Sequence, residues 1–129
     1  MRLLLDTHIW LWSLRDPKRL RRRVQVELGD PDNERWLSPI STWEVLTLNA
    51  KGRIRLEGSL PDWVAQATAP FREAPLTHEI ATMARQLTWT HQDPADRFLA
   101  ATAQILKLTL VTADTRLLGL GDIATLANR

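Results

Sequence analysis

The sequence has 129 residues, of which 44% are hydrophobic and 25% charged, and its formal net charge is +2. These values predict one folded domain, residues 1–129, with a substantial core, and they exclude a disordered chain. The absence of cysteine excludes disulfides, zinc–thiolate sites and thiol catalysis. No apolar run approaches the roughly 20 residues of a membrane helix. Because Asp6 also comes too early for a secretory signal, we expect a cytoplasmic protein with no membrane contact.

Strands and helices alternate from the first residues to the last. The predicted strands are Arg2–Leu5, Arg35–Ser38, Phe71–Leu76, Leu108–Thr112 and Ile123–Leu126. The predicted helices are Thr7–Leu14, Lys18–Leu28, one that Ser41 opens and Gly52 stops, one from Leu60 to Pro70, one that Thr77 caps, one that Asp93 caps and Lys107 closes, and Thr115–Leu118. This alternation predicts an α/β fold whose parallel sheet is covered on both faces. Pro75 places the third strand at an edge.

Most of the positive charge in the amino-terminal part lies in one segment, Arg15–Arg23 (RDPKRLRRR). Such a run attracts polyanions because binding releases their counterions, which favours a face that contacts nucleic acid. The alternative is a solvated helix face, since Leu20, Val24 and Leu28 would bury the opposite side. The sequence leaves both interpretations open.

Acidic residues stand at the ends of the predicted strands or at neighbouring helix starts: Asp6, Glu44, Asp96 and Asp114. The carboxyl ends of parallel strands share one edge of the sheet, so we expect these acids to converge there. Two bare carboxylates ~4 Å apart repel by roughly 4 kcal/mol at an effective dielectric near 20. A hard divalent cation would offset this repulsion, and ligation by oxygen alone favours Mg²⁺ or Mn²⁺ over zinc. Because such a site can activate water at a phosphodiester, the pattern predicts a metal-dependent nuclease.

Each acid also has a structural interpretation. Asp6 and Asp114 would serve as helix caps, and Glu44 would complete an S-x-x-E capping box that begins at Ser41. Asp96 would interact with the helix dipole and pair with Arg97 or another nearby base.

Two other classes of function stay open at this point. One is a non-catalytic binding module with the same fold, and the other is a phosphatase or a phospho-receiver domain. Asp6-Thr7-His8 lacks the second acid of the D-x-D pattern that a haloacid-dehalogenase-type phosphatase needs. The acidic pair of a receiver domain is also missing.

Four segments together resemble a known family: LLLDTHIWLW, SPISTWEVL, HQDPADRFLAATAQ and LVTAD. In this order they resemble a PIN domain of the VapC toxin type, through nearly the whole chain and most weakly between Gly52 and Leu76. The resemblance implies a three-layer α/β/α sandwich with a mainly parallel sheet of about five strands in the order 3-2-1-4-5. It also implies an Mg²⁺- or Mn²⁺-dependent endoribonuclease that cleaves RNA, a cognate VapB-type antitoxin and a homodimer.

The same resemblance assigns roles to the acids. Asp6, Glu44, Asp96 and Asp114 match the family's acidic quartet. Asp6 and Asp96 would be the primary metal ligands. Glu44 and Asp114 would complete the shell directly or through water and would help to orient the attacking water. Asp93 is interpreted as a cap.

Polar residues beside these acids also have predicted roles. We predict that Thr7 and Thr112 hydrogen-bond a site carboxylate or a metal-bound water, with a plain strand residue as the alternative for Thr112. Arg97 is predicted to form a salt bridge with a site acid, with contact to RNA phosphate or to the antitoxin as the alternatives. The histidines are interpreted as lying outside the metal site and as having no general-acid role: His8, His78 and His91.

The tryptophans divide into two predicted groups. Trp43 and Trp63 are expected in the core. Trp10 and Trp12 are expected to line a hydrophobic interface or groove. An antitoxin helix would dock in this groove and would insert an Arg or Lys into the acid cluster.

Overall fold

The computed structural model describes all residues, 1–129. Its sheet consists of five strands in the order β3-β2-β1-β4-β5, and every neighbouring pair is parallel. The strands are β1 Arg2–Leu5, β2 Glu34–Leu37, β3 Arg72–Glu73, β4 Thr109–Thr112 and β5 Ala124–Ala127. The expected fold class and strand order are therefore confirmed, including the edge position of the third strand.

Seven α-helices connect and cover the strands: α1 Thr7–Arg15, α2 Arg22–Gly29, α3 Pro39–Ala50, α4 Leu60–Thr68, α5 His78–Gln86, α6 Pro94–Leu106 and α7 Thr115–Leu118. None of them is long and apolar enough to cross a membrane. Most begin at the cap residue that the sequence supplies. The side chains of Asp6, Ser59, Thr77, Asp93 and Asp114 each accept a hydrogen bond from a backbone N–H of the first turn.

The core lies on both faces of the sheet because successive residues of a strand point to opposite sides. Leu3 and Leu5 of β1 pack with Ile9 and Val24 from α1 and α2 on one face. On the other face Leu4 joins a cluster that includes residues of α6 and α7. Helix α5 packs outside on α6. These three layers place the carboxyl ends of β1 and β4 at the middle of one sheet edge.

Several predicted boundaries differ from the structure by one to four residues. Pro17–Arg19 form a separate 3-10 turn and α2 begins only at Arg22, because the backbone at Leu20 and Arg21 is extended. Helix α3 begins at Pro39 with Ser38 as its cap, two residues before the predicted start at Ser41. Strand β3 is limited to Arg72–Glu73. Each difference is a local change of length and leaves the topology unchanged.

Candidate functional site

A cleft of about 390 Å³ opens at the carboxyl ends of the two central strands. Its lining includes all four acids that the sequence singled out: Asp6, Glu44, Asp96 and Asp114. The other lining residues are Thr7, His8, Trp12, Asp93, Ala113 and Arg116. The fold thus brings together side chains from the end of β1, from α1 and α3, from the start of α6, and from the turn after β4 and α7.

Asp6 is both a helix cap and a site acid. It directly follows β1, where its Oδ1 accepts a hydrogen bond from the backbone N–H of Thr7 at 2.7 Å. Its Oδ2 accepts from the Thr112 hydroxyl of β4, also at 2.7 Å. Burial raises the pKa of Asp6 and the charge of Asp96 adds to this effect, while the Thr112 hydrogen bond partly opposes it. The two interpretations of Asp6 are therefore compatible.

Glu44 faces the cleft and does not cap its helix. Its Oε1 accepts a hydrogen bond from the Thr7 hydroxyl, which also lies 2.9 Å from Ser41 Oγ. The cap of α3 is Ser38, whose Oγ accepts from Ile40 N at 3.1 Å, so the capping-box interpretation is wrong. Burial raises the pKa of Glu44 to about 7, and the neighbouring charges of Asp6 and Asp96 act in the same direction. The carboxyl group of Glu44 therefore exchanges its proton near neutral pH.

Asp96 lies in the first turn of α6 and pairs with a histidine. Its Oδ2 is 2.8 Å from His91 Nε2, and the edge of the Trp89 indole supports the His91 ring at a centroid distance of 4.8 Å. Burial raises the pKa of Asp96 despite the His91 hydrogen bond. Asp93 caps α6 as predicted, since its Oδ1 accepts from Asp96 N at 3.2 Å.

His91 was not expected at the site. Ligand atoms of His91, Asp93 and Asp96 lie within 4.8 Å of one another, a grouping that could hold a metal ion. The signal in the sequence was the spacing of HQDPAD, which places the histidine in the loop just ahead of the α6 cap.

Asp114 has a different environment from the other three acids. It caps α7, and its Oδ1 accepts from Arg116 N at 2.9 Å. The Arg116 guanidinium also binds both carboxylate oxygens, with Nε 3.1 Å from Oδ1 and Nη2 2.9 Å from Oδ2. These hydrogen bonds lower the pKa of Asp114. Asp114 therefore stays ionised with a cation of its own.

Arg97 does not pair with a site acid, so this prediction is wrong. The side chain is buried and points toward α5, where all five of its N–H groups meet backbone carbonyls. The acceptors belong to Ala84, Arg85, Leu87, Trp89 and His91, at 2.7–3.4 Å. Two of them are carbonyls of the last turn of α5, which have no partner within that helix. Arg97 thus caps α5 and fixes the loop that carries His91.

Three of the four tryptophan predictions are also wrong. Trp10 is fully buried and donates from Nε1 to Ala67 O at 3.3 Å, so it does not line a groove. Trp43 is 60% exposed and is not part of the core. Trp63 is half-buried against the core beside Trp10. Trp12 does line a surface, but this surface is the acidic cleft, and the Arg19 guanidinium lies 4.4 Å from its ring centroid.

The residues of the cleft fit a hard divalent cation. Burial raises the pKa of three carboxyl groups, which means that their negative charges are poorly compensated: Asp6, Glu44 and Asp96. Arg116 is the only Lys or Arg in the lining, and it is bound to the fourth acid. Carboxylate oxygens are the ligands that Mg²⁺ and Mn²⁺ prefer.

Known proteins are similar to this chain in sequence and in fold. The family model described as "PIN domain" matches residues 3–122. The chain is 33% identical over 116 residues to Ribonuclease VapC22 of Mycobacterium tuberculosis, a match that covers 89% of this chain and 88% of that protein.

Two solved structures share the fold at lower identity. VapBC2 from Rickettsia felis, bound to a DNA fragment from its promoter, has a TM-score of 0.76 at 14% identity and covers 98% of both chains. FitAcB from Neisseria gonorrhoeae has a TM-score of 0.70 at 23% identity and covers 98% of this chain and 97% of the other. The family match, the identity to VapC22 and the shared fold agree: the chain belongs to the PIN-domain family and is a ribonuclease of the VapC type.

Proposed function

We propose that this protein is an Mg²⁺- or Mn²⁺-dependent endoribonuclease that hydrolyses RNA phosphodiester bonds and acts as a cytoplasmic toxin. The observation that carries the metal dependence is a group of three carboxylates with raised pKa in one cleft, the buried Asp6 and the half-buried Glu44 and Asp96. Their mutual repulsion is a cost for the metal-free fold, and a divalent cation would turn it into binding energy.

Asp6 and Asp96 would be the primary ligands, Glu44 would join them, and Asp114 would complete the shell at the rim directly or through water. A bound Mg²⁺ or Mn²⁺ would supply a more acidic water and would neutralise charge on the phosphate. Neighbouring groups already orient the carboxylate oxygens. Thr112 donates to Asp6, Thr7 donates to Glu44, and His91 holds Asp96.

Glu44 is suited to orient the attacking water. In the metal-free protein its pKa is about 7, and a bound cation would lower this value and keep Glu44 ionised, as an acceptor for a proton of the water. The hydrogen bond from Thr7 holds one carboxylate oxygen, so the other is available to the water.

The segment Arg15–Arg23 would contact the RNA backbone. Leu20 and Val24 are buried, so this segment does have the buried side that the alternative interpretation required. Arg21, Arg22 and Arg23 are nevertheless exposed, and Arg19 lies over Trp12 at the wall of the cleft. A cationic surface beside the acids would hold the strand that the cleft cleaves.

A VapB-type antitoxin would neutralise the protein. Structural neighbours of this chain are VapBC toxin–antitoxin complexes, which supports such a partner. The cleft, which carries five acids and one arginine, would accept a cationic side chain from it. A homodimer is part of the same proposal, and the exposed Trp43 is the largest apolar side chain available to a partner.

A Mn²⁺ titration of the purified, antitoxin-free protein tests the proposal. Wild type should bind, Asp96→Asn should lose binding, and Asp62→Asn, the same change at an exposed acid on α4, should bind like wild type. If the folded wild type binds no Mn²⁺ even with RNA present, the acids do not form a metal site and the proposal fails. Metal binding without cleavage of any RNA would favour the non-catalytic module instead.

A further inference from the structure

Both carboxylate oxygens of Asp114 are already occupied by Arg116. Oδ1 accepts from Nε at 3.1 Å and Oδ2 accepts from Nη2 at 2.9 Å, which is the two-pronged arrangement of an arginine–carboxylate pair. Oδ1 also accepts from the backbone N–H of Arg116 at 2.9 Å. In this geometry Asp114 functions as an acceptor for arginine.

Arg116 keeps free donors after this pairing. A guanidinium has five N–H groups, and Asp114 uses one on Nε and one on Nη2. Nη1 lies 3.3 Å from His91 Nδ1, and His91 Nε2 lies 2.8 Å from Asp96 Oδ2. A neutral histidine with its proton on Nε2 satisfies both contacts. Asp114 and His91 therefore hold Arg116 from two sides, and at least two N–H groups have no partner.

The charge of the cleft makes those free donors important. Five lining residues are Asp or Glu, and Arg116 is the only Lys or Arg among the ten. Its side chain is 58% exposed. The five acids repel a phosphodiester that enters the cleft. Arg116 is the only Lys or Arg of the lining that attracts it.

We propose that Arg116 binds a phosphate oxygen of the RNA in the cleft and that Asp114 is the positioning residue that aims it, rather than a metal ligand. This inference rests on the proposed function, since it leaves the metal to Asp6, Glu44 and Asp96, and it replaces the place in the metal shell that was proposed for Asp114. The competing role for the pair is that of an exposed ion pair at the start of α7, which would contribute little to stability and nothing to RNA affinity.

The test compares Arg116→Gln with Arg53→Gln, an exposed arginine beyond the far end of α3 from Glu44. The probe is a single-stranded oligouridylate, and Ca²⁺ replaces Mg²⁺ so that binding is measured apart from cleavage. Arg116→Gln should weaken RNA binding roughly three- to tenfold, between the effects of an exposed ion pair and a charged hydrogen bond. The slope of log affinity against log salt should fall by roughly 0.7, the value for one phosphate contact on a single strand. Arg116→Lys, which keeps the charge without the fork, should lie between wild type and Arg116→Gln.

Asp114→Asn separates the positioning role from metal ligation. Asparagine still caps α7, and this variant should bind Mn²⁺ where Asp96→Asn does not. In the Asp114→Asn background Arg116→Gln should cost less RNA affinity than it does in wild type, because the arginine is no longer held.

Three results would overturn the inference. The first is an Arg116→Gln protein whose RNA affinity and salt slope equal those of Arg53→Gln. The second is an Asp114→Asn protein that loses Mn²⁺ as Asp96→Asn does. The third is loss of antitoxin binding by Arg116→Gln with unchanged RNA binding, which assigns the arginine to the protein partner. Failure of the proposed function itself has a separate signature, because the wild type would then bind no Mn²⁺.

Discussion

Thr112 joins the acid at the end of β1 to the turn after β4. Its hydroxyl donates to Asp6 Oδ2 at 2.7 Å and accepts from Asp114 N at 3.0 Å. The strand register produces this contact, because Leu5 pairs with Val111 and Asp6 N donates to Val111 O at 2.9 Å. One buried threonine thus fixes the relative positions of two acids that are far apart in the sequence.

Thr112→Val should weaken both metal binding and folding. Valine has the same shape and suits a strand, but it leaves Asp6 Oδ2 and Asp114 N without the hydroxyl, at a cost of about 1–3 kcal/mol. The pKa of Asp6 should rise further, because the hydrogen bond that lowers it is lost. We expect Mn²⁺ affinity to fall by roughly tenfold or more. Mn²⁺ titration and urea unfolding measure these effects, and Thr109→Val, in the same strand, is the control. Equal Mn²⁺ affinities for the two variants would contradict the prediction.

The raised pKa of Glu44 gives the stability of the metal-free protein a definite pH dependence. The folded carboxyl group holds its proton up to about pH 7, whereas the ordinary value is 4.5, so the folded state binds more protons between these two values. Stability should therefore fall as the pH rises from 4.5 to 7. Glu44→Gln removes this loss and should stabilise the metal-free protein at pH 8 by around 1 kcal/mol after allowance for solvent screening.

Urea unfolding of wild type and Glu44→Gln at several pH values in EDTA checks this result. Glu57→Gln makes the same change at an exposed position outside the cleft and serves as the background. If the wild type instead becomes more stable relative to Glu44→Gln as the pH rises, the predicted direction of the pH dependence is wrong.

The sequence predicted the features that local chemistry determines. Asp6, Asp93 and Asp114 are caps whose position follows from the residue type and the start of an apolar period. The run Leu108–Thr112 indicated a buried strand, and β4 occupies most of it. Convergence of the four acids then followed from parallel topology, whereas the strand order was known only from the family resemblance.

Features that depend on the direction of a side chain were harder to predict. Arg97 follows Asp96 directly, so it points roughly 100° away around the helix and reaches α5 instead of the cleft. Trp10 and Trp12 are two residues apart, or roughly 200° around α1, so they cannot line one groove. The spacing excluded the shared groove, but only the packing of α1 on the sheet decides which of them is buried.

Arg97→Lys should be strongly destabilising. Five carbonyls accept from the guanidinium, and an ammonium has three donors in a compact group that cannot reach both ends of the set. Loss of two or more buried hydrogen bonds should cost about 3 kcal/mol. The midpoint of urea unfolding measures this cost. Arg85→Lys, at an exposed position on α5, should change the midpoint little, and a similar midpoint for both variants would contradict the role assigned to Arg97.

Trp10 and Trp43 should respond to truncation in opposite ways. Trp10 of α1 is fully buried and contacts α4, whereas Trp43 is 60% exposed. Trp10→Ala should therefore cost about 3–5 kcal/mol, whereas Trp43→Ala should stay within about 0.5 kcal/mol of wild type. Urea unfolding measures both, with Trp10→Phe as a milder change if the alanine variant does not fold. If Trp10 lined a groove and Trp43 lay in the core, the Trp43 variant would be the less stable one. A Trp43→Ala protein that is less stable than Trp10→Phe would therefore contradict the observed packing.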